Sequence, residues 1–201
     1  MRLDQWIQHL TGLSRMAGVE ASPLPPDRTL LSGERGEQLL WRACAGEAVG
    51  WRERVLDGAC AVRAPLLKPD AYLAIEVWAE CELSALHALH RLVRGGEDAR
   101  PDPPLAARLA ARLEGALLWH LEHTQPDNST NRPWALHAFL LFAEARDPDD
   151  AAAHEAALYA ETLLHNMVAT DARDEPLSRW ILADAARELA LARAAPSPQS
   201  S

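Results

Sequence analysis

Between Asp70 and Ala194 the apolar residues return every three or four positions, and each run is closed by glycine or proline. That recurrence is the mark of helices that bury one face, and it constrains the chain more than any other feature. Asp70 is placed to cap a first run whose stripe is Tyr72, Ile75, Ala79, Leu83, Leu86, His90 and Val93, ended by Gly95 and Gly96. Asp102, Pro103 and Pro104 open a second, along Leu105, Leu109, Leu113, Ala116, Leu117 and His120, which stops near His123. Thr130, with Pro133 in the first turn, is expected to begin a third through Ala135, Phe139 and Phe142, ended by Asp147 and Pro148. A fourth spans Asp150 to Val168 with Ala156, Ala160, Leu163, Leu164 and Met167 inward. Asp174, Glu175 and Pro176 introduce a fifth on Leu177, Ile181, Ala185 and Leu189.

The first part of the chain is less regular. Leu3, Trp6, Ile7, Leu10, Leu13 and Met16 make a short amphipathic helix that stops at Gly18. Pro23, Pro25 and Pro26 forbid a helix across 19–33 and mark a linker or strap. A second helical stretch covers 34–48 with Leu39, Leu40, Ala43 and Cys44, and Cys60-Ala61-Val62 reads as a short strand. The expected organisation is an N-terminal part, 1–68, packed on a helical-hairpin domain, 69–195, with a disordered tail at 196–201. The expected class is all-α, with antiparallel αα-hairpins forming an irregular bundle or a short superhelical, partial toroid-like array. A complete twelve-helix toroid does not fit in 201 residues, because each hairpin takes about 30–40.

Composition narrows the function classes. A net charge of −9 argues against nucleic acid and anionic membranes, both of which need clustered Lys and Arg. The three cysteines, Cys44, Cys60 and Cys81, form no Cys-x-x-Cys pair and read as small buried hydrophobes. The residues after Met1 lack the apolar core of a signal peptide, and no run approaches the ~18 apolar residues of a membrane span, so the cytoplasm is the expected location. The sequon Asn128-Ser129-Thr130 carries no weight without a secretion signal.

Two histidine pairs, His87-x-x-His90 and His120-x-x-His123, invite a four-histidine metal site. In a hairpin, however, His90 and His120 stand roughly 18 Å apart along the axis at about 1.5 Å per residue, and metal–nitrogen bonds are only ~2 Å long. The pairs are therefore read as packed, hydrogen-bonded rings. No phosphate loop, dinucleotide fingerprint, zincin motif or nucleophile elbow is present, so no cofactor is expected. Glu76, Glu80 and Glu82 lack the Glu-x-x-His partners of a di-iron bundle and read as a solvated face.

What packing does not account for comes from topology. With helices alternating in direction, one rim of the bundle gathers His120, His123, Asp127, Asn128, Asn131, Arg132, Trp134, His137, His165, Asn166 and Trp180. Asp, Asn, Ser and Thr in this loop also serve as turn and capping residues. Tryptophan among Asn, Asp and Arg nonetheless suits a polar ligand such as a sugar. Glu161 and His165, four apart on one helix, are spaced for a carboxylate to orient an imidazole as general base, and equally for an ordinary surface ion pair. Two functions follow from these residues. One is a helical protein that binds another macromolecule. The other is an enzyme on a polar small molecule or sugar, with His165 or His137 as base and Arg132 anchoring an anionic or carbonyl group.

Overall fold

The structure, a computed structural model, describes residues 1–15, 22, 24–47, 50–56, 63–94, 102–126 and 130–195. It is all-α, with about three-quarters of those residues helical and no strand among them. The expected strand at Cys60–Val62, the expected tail, and Asp127 and Asn128 of the rim lie outside the described residues.

The α-helices in chain order are α1 (Leu3–Arg15), α2 (Gly36–Cys44), α3 (Trp51–Leu56), α4 (Ile75–Arg94), α5 (Pro103–His123), α6 (Leu136–Glu144), α7 (Ala151–Val168) and α8 (Pro176–Ala194). Their starts follow local chemistry. Asp102 accepts a hydrogen bond from Leu105 N and Asp150 from Ala152 N, while Pro103 and Pro176 occupy first positions where no N–H is needed.

Two starts differ from the sequence reading. Asp70 does not cap α4: Pro69–Ala71 form a 3-10 turn, Tyr72 is extended, and the helix begins only at Ile75. The Tyr72 hydroxyl donates to Glu37 at 2.7 Å, which anchors the chain to α2 before α4 can start. Thr130 does not begin α6 either. Its hydroxyl accepts from Arg132 N at 3.0 Å. Pro133 pushes the residue before it out of the helical region, and Ala135 takes a left-handed φ of 56° ahead of Leu136.

Helix α4 sits at the centre. Trp78, Ala79 and every residue from Glu82 to His90 are buried. It packs against α2 and α5; α6 lies against α7, and α8 is flanked by α1 and α6. Trp6 and Leu10 of α1 close the far side of α8, so α8 buries two faces and is apolar at Ile181, Leu182, Ala185 and Leu189. One continuous core joins these helices, with Trp41, Trp134, Trp180 and Phe139 its largest enclosed side chains.

The inward face of α5 yields a stability test. Leu109, Leu113 and Leu117 are buried, whereas Glu114 is exposed and pairs with Arg146. Leu113→Ala is expected to cost about 2–5 kcal/mol in urea titration, and Glu114→Ala about 0–1 kcal/mol. Equal costs would place the other face of α5 inward.

Candidate functional site

The densest polar cluster is not at the rim but in the core, where α4, α6 and α8 meet. His87 is fully buried, and its Nε2 lies 2.9 Å from Asp184 Oδ2. Its Nδ1 accepts the backbone N–H of Ala135 at 3.2 Å. The tautomer satisfying both bonds carries its hydrogen on Nε2. Asp184 also receives Arg91 at 3.1 Å and Arg187 at 2.5 Å. Burial opposes its ionisation, but the bond from His87 and the nearby positive charges outweigh it and hold the carboxyl below its usual range.

One turn along α4, His90 Nδ1 and His137 Nε2 are 3.1 Å apart, with Glu188 Oε2 at 3.9 Å from the same His90 nitrogen. Arg94 reaches Glu188 at 3.4 Å. His137 lies edge-on to both His87 and His90, ring centroids 4.4 Å and 4.5 Å away. Its Nδ1 has no partner among the described residues. The less costly assignment puts the hydrogen on Nε2, donated to His90, so that the orphan is a lone pair and not an N–H. Trp41, Trp134 and Trp180 wall the cluster, each with a ring centroid within 6 Å of His87.

A second polar chain runs beside it. Glu82 has no exposed surface, and its two oxygens accept Leu66 N and Leu67 N, each at 2.6 Å. This overturns its reading as part of a solvated face: a carboxylate bonded to two backbone N–H groups is a pin for the strap leading into α4. His120 Nε2 lies 3.4 Å from the same carboxylate, and its Nδ1 is 3.0 Å from Thr124 Oγ1, which bonds Tyr159 at 2.9 Å. Burial pushes the Tyr159 hydroxyl up to about 12, so it remains protonated.

The residues expected at one rim are distributed among separate environments. Trp134, His137 and Trp180 converge around His87, inside the core. His120 belongs to the Glu82 chain. His123 is exposed and stacked on Trp119, its Nδ1 donating to the Trp119 carbonyl. Asn166 donates to the Pro126 carbonyl at 2.7 Å. Glu161 and His165 are exposed on α7. Arg132 is held between Glu80 and Glu175, with Trp134 Nε1 on the same Glu80 at 3.4 Å. Partial burial opposes the Arg132 charge, but these two carboxylates raise its pKa. Asn131 is exposed beside it and lines a surface cleft of ≈ 590 Å³ with Glu76, Val77, Glu80, Asp171 and Glu175.

No known family, no curated protein and no solved structure matches this chain. The chemistry of the cluster therefore has to speak for itself. Among the described residues no group of His, Cys, Asp and Glu has a metal-binding arrangement, and no described helix is long and apolar enough to cross a membrane. Burial also pushes the Cys44 and Cys81 thiols up to about 12, which removes them as nucleophiles. The histidines that sequence reasoning passed over as ligands, His87 and His90, are packed and bonded rings. The acids that complete them, Asp184 and Glu188, carried one visible signal: they stand on the same face as Ile181 and Ala185, where a carboxylate must find a partner.

The core histidines make stability depend on pH. Burial lowers His90 to about 3 and His137 well below the ordinary 6.5. Both are neutral in the folded chain, while in the unfolded chain they protonate near 6.5. The unfolded state thus binds more protons below that pH, and stability falls on acidification from about pH 6.5 towards 3, by up to about 1.4 kcal/mol per pH unit for each histidine. Urea unfolding at a series of pH values should show this slope, and His137→Asn should remove one histidine's share. A wild-type stability flat from pH 7 to 4.5 would contradict it.

Proposed function

We propose that this chain is a helical interaction protein that receives a cationic partner segment bearing apolar side chains, in the cleft between the start of α4 and the 130–132 and 170–175 segments. The observation that carries this reading is the exposure of Val77, which lines that cleft, and of Leu73 and Ile75 in the same short stretch, at 45%, 104% and 60%. Large apolar side chains grouped in this way are a recognition feature, since burying each contributes about 1.5–3 kcal/mol to whatever covers it.

Charge selects the partner. The cleft is lined by Glu76, Glu80, Asp171 and Glu175 against a single guanidinium, Arg132, which already bridges Glu80 and Glu175. An amphipathic helix with Lys or Arg beside its apolar anchors matches both features, the apolar anchors supplying affinity and the charges supplying steering and register. The overall charge of −9 adds long-range attraction for the same class of partner.

A synthetic Lys/Leu amphipathic peptide tests the reading by fluorescence anisotropy against the intact chain. Binding is expected to weaken about tenfold or more in I75S/V77S and with rising salt, at unchanged melting temperature. An I75S/V77S protein that binds as well as the original, or an acidic Glu/Leu peptide that binds equally, would overturn it. So would sedimentation showing a dimer that the same double substitution dissociates, because the patch would then serve a second copy of this chain.

A further inference from the structure

A second cleft, of ≈ 760 Å³, lies between α2, α3 and the strap that runs from Ala64 to Tyr72 ahead of α4, and shares no lining residue with the first. It owes nothing to the docking surface proposed above. Three elements each supply it with one cation: Arg35 before α2, Arg54 in α3 and Lys68 in the strap. Arg42, Arg91, Arg132, Arg146 and Arg187, by contrast, each have a carboxylate partner. Among the described residues no carboxylate lies within ion-pair distance of Arg35, Arg54 or Lys68. Glu34 and Glu53 also line this cleft, so its described lining carries three cations against two carboxylates, and Glu34 has Arg42 as a partner at 3.8 Å.

The floor is rigid. Glu82 pins the N–H groups of Leu66 and Leu67, Trp78 Nε1 donates to the Leu67 carbonyl at 3.0 Å, and Arg112 holds the Ala64 and Pro65 carbonyls at 2.8 Å and 2.6 Å. The strap that carries Lys68 is thus fixed by three buried or half-buried side chains, two from α4 and one from α5. Tyr72 and the side chains of Leu66 and Leu67 add an apolar, aromatic wall, and the Arg35 guanidinium stands 5.8 Å from the centre of the Tyr72 ring.

We propose that this cleft binds a small organic phosphate monoester, the phosphate held by Arg35, Arg54 and Lys68 and the organic body laid against Tyr72 and Leu67. A phosphate dianion can use three cations lining one cleft, its oxygens accepting charge-assisted bonds from them. The volume is within the range of about 300–1,000 Å³ that small-molecule sites occupy. Preorganisation of the strap lowers the ordering cost of binding.

Calorimetric titration of the intact chain with phenyl phosphate, benzoate and inorganic phosphate tests the assignment. Phenyl phosphate is expected to bind one to one with a Kd below about 1 mM, tighter than either of the others. K68Q and R54Q are each expected to weaken it about fivefold or more without moving the melting temperature, since both side chains are exposed. Unsaturable binding of phenyl phosphate, or equal affinity in the R35Q/R54Q/K68Q protein, would overturn the site. Benzoate or inorganic phosphate binding as tightly as phenyl phosphate would overturn the ligand class.

Discussion

An imidazole without exposed surface, both of whose nitrogens are committed, ties three helices together at one point. His87 of α4 gives its Nε2 hydrogen to Asp184 of α8 and takes the N–H of Ala135 at the start of α6. Each bond answers a need created by the others. A buried aspartate is costly unless charge and hydrogen bonds meet it, and Arg91 and Arg187 bring the charge while His87 brings the bond. Ala135 sits in a left-handed conformation that costs roughly 1–2 kcal/mol for a residue with a Cβ, and its N–H would be orphaned in the core without His87. With that bond in place, α6 enters at the angle that brings His137 against His90 and Trp134 against Trp41.

The consequence for function is a division between inside and outside. His87, His90, His120 and His137, the carboxylates Glu82, Asp184 and Glu188, and Trp41, Trp134 and Trp180 are internal to the bundle. Buried polar groups of this kind specify one packing among the many that leucine and alanine alone would permit. On the proposed reading recognition falls to the surface, where the two clefts carry different chemistry: carboxylates beside exposed Val77 in one, and Arg35, Arg54 and Lys68 with Tyr72 in the other.

Much of this was legible in the sequence, and the losses have physical reasons. Periodicity located α4, α5, α7 and α8 because their stripes are long and their caps, Asp102, Asp150 and Pro176, act locally. The starts of α4 and α6 were misread because they are set by distant partners, the Tyr72 to Glu37 bond and the Ala135 to His87 bond. Glu82 was misjudged by composition, although Trp78, Leu86 and Leu89 around it put its position on a buried stripe. The candidate residues were harder still. His137, Trp134 and Trp180 do meet, but inside the core and around His87, a residue no rim argument would have placed among them. The three cations of the second cleft come from three separate elements between Arg35 and Lys68, and only the fold brings them to one opening.

The buried His87 and Asp184 act as one unit that holds α4, α6 and α8 in register. A double-mutant cycle on H87A and D184A, read by urea unfolding, measures this most directly. Each single substitution leaves a buried partner without its bond, so the account predicts a coupling energy of about 2 kcal/mol or more, with the double variant much less destabilised than the sum of the singles. Single costs that simply add, to within about 0.5 kcal/mol, would contradict it.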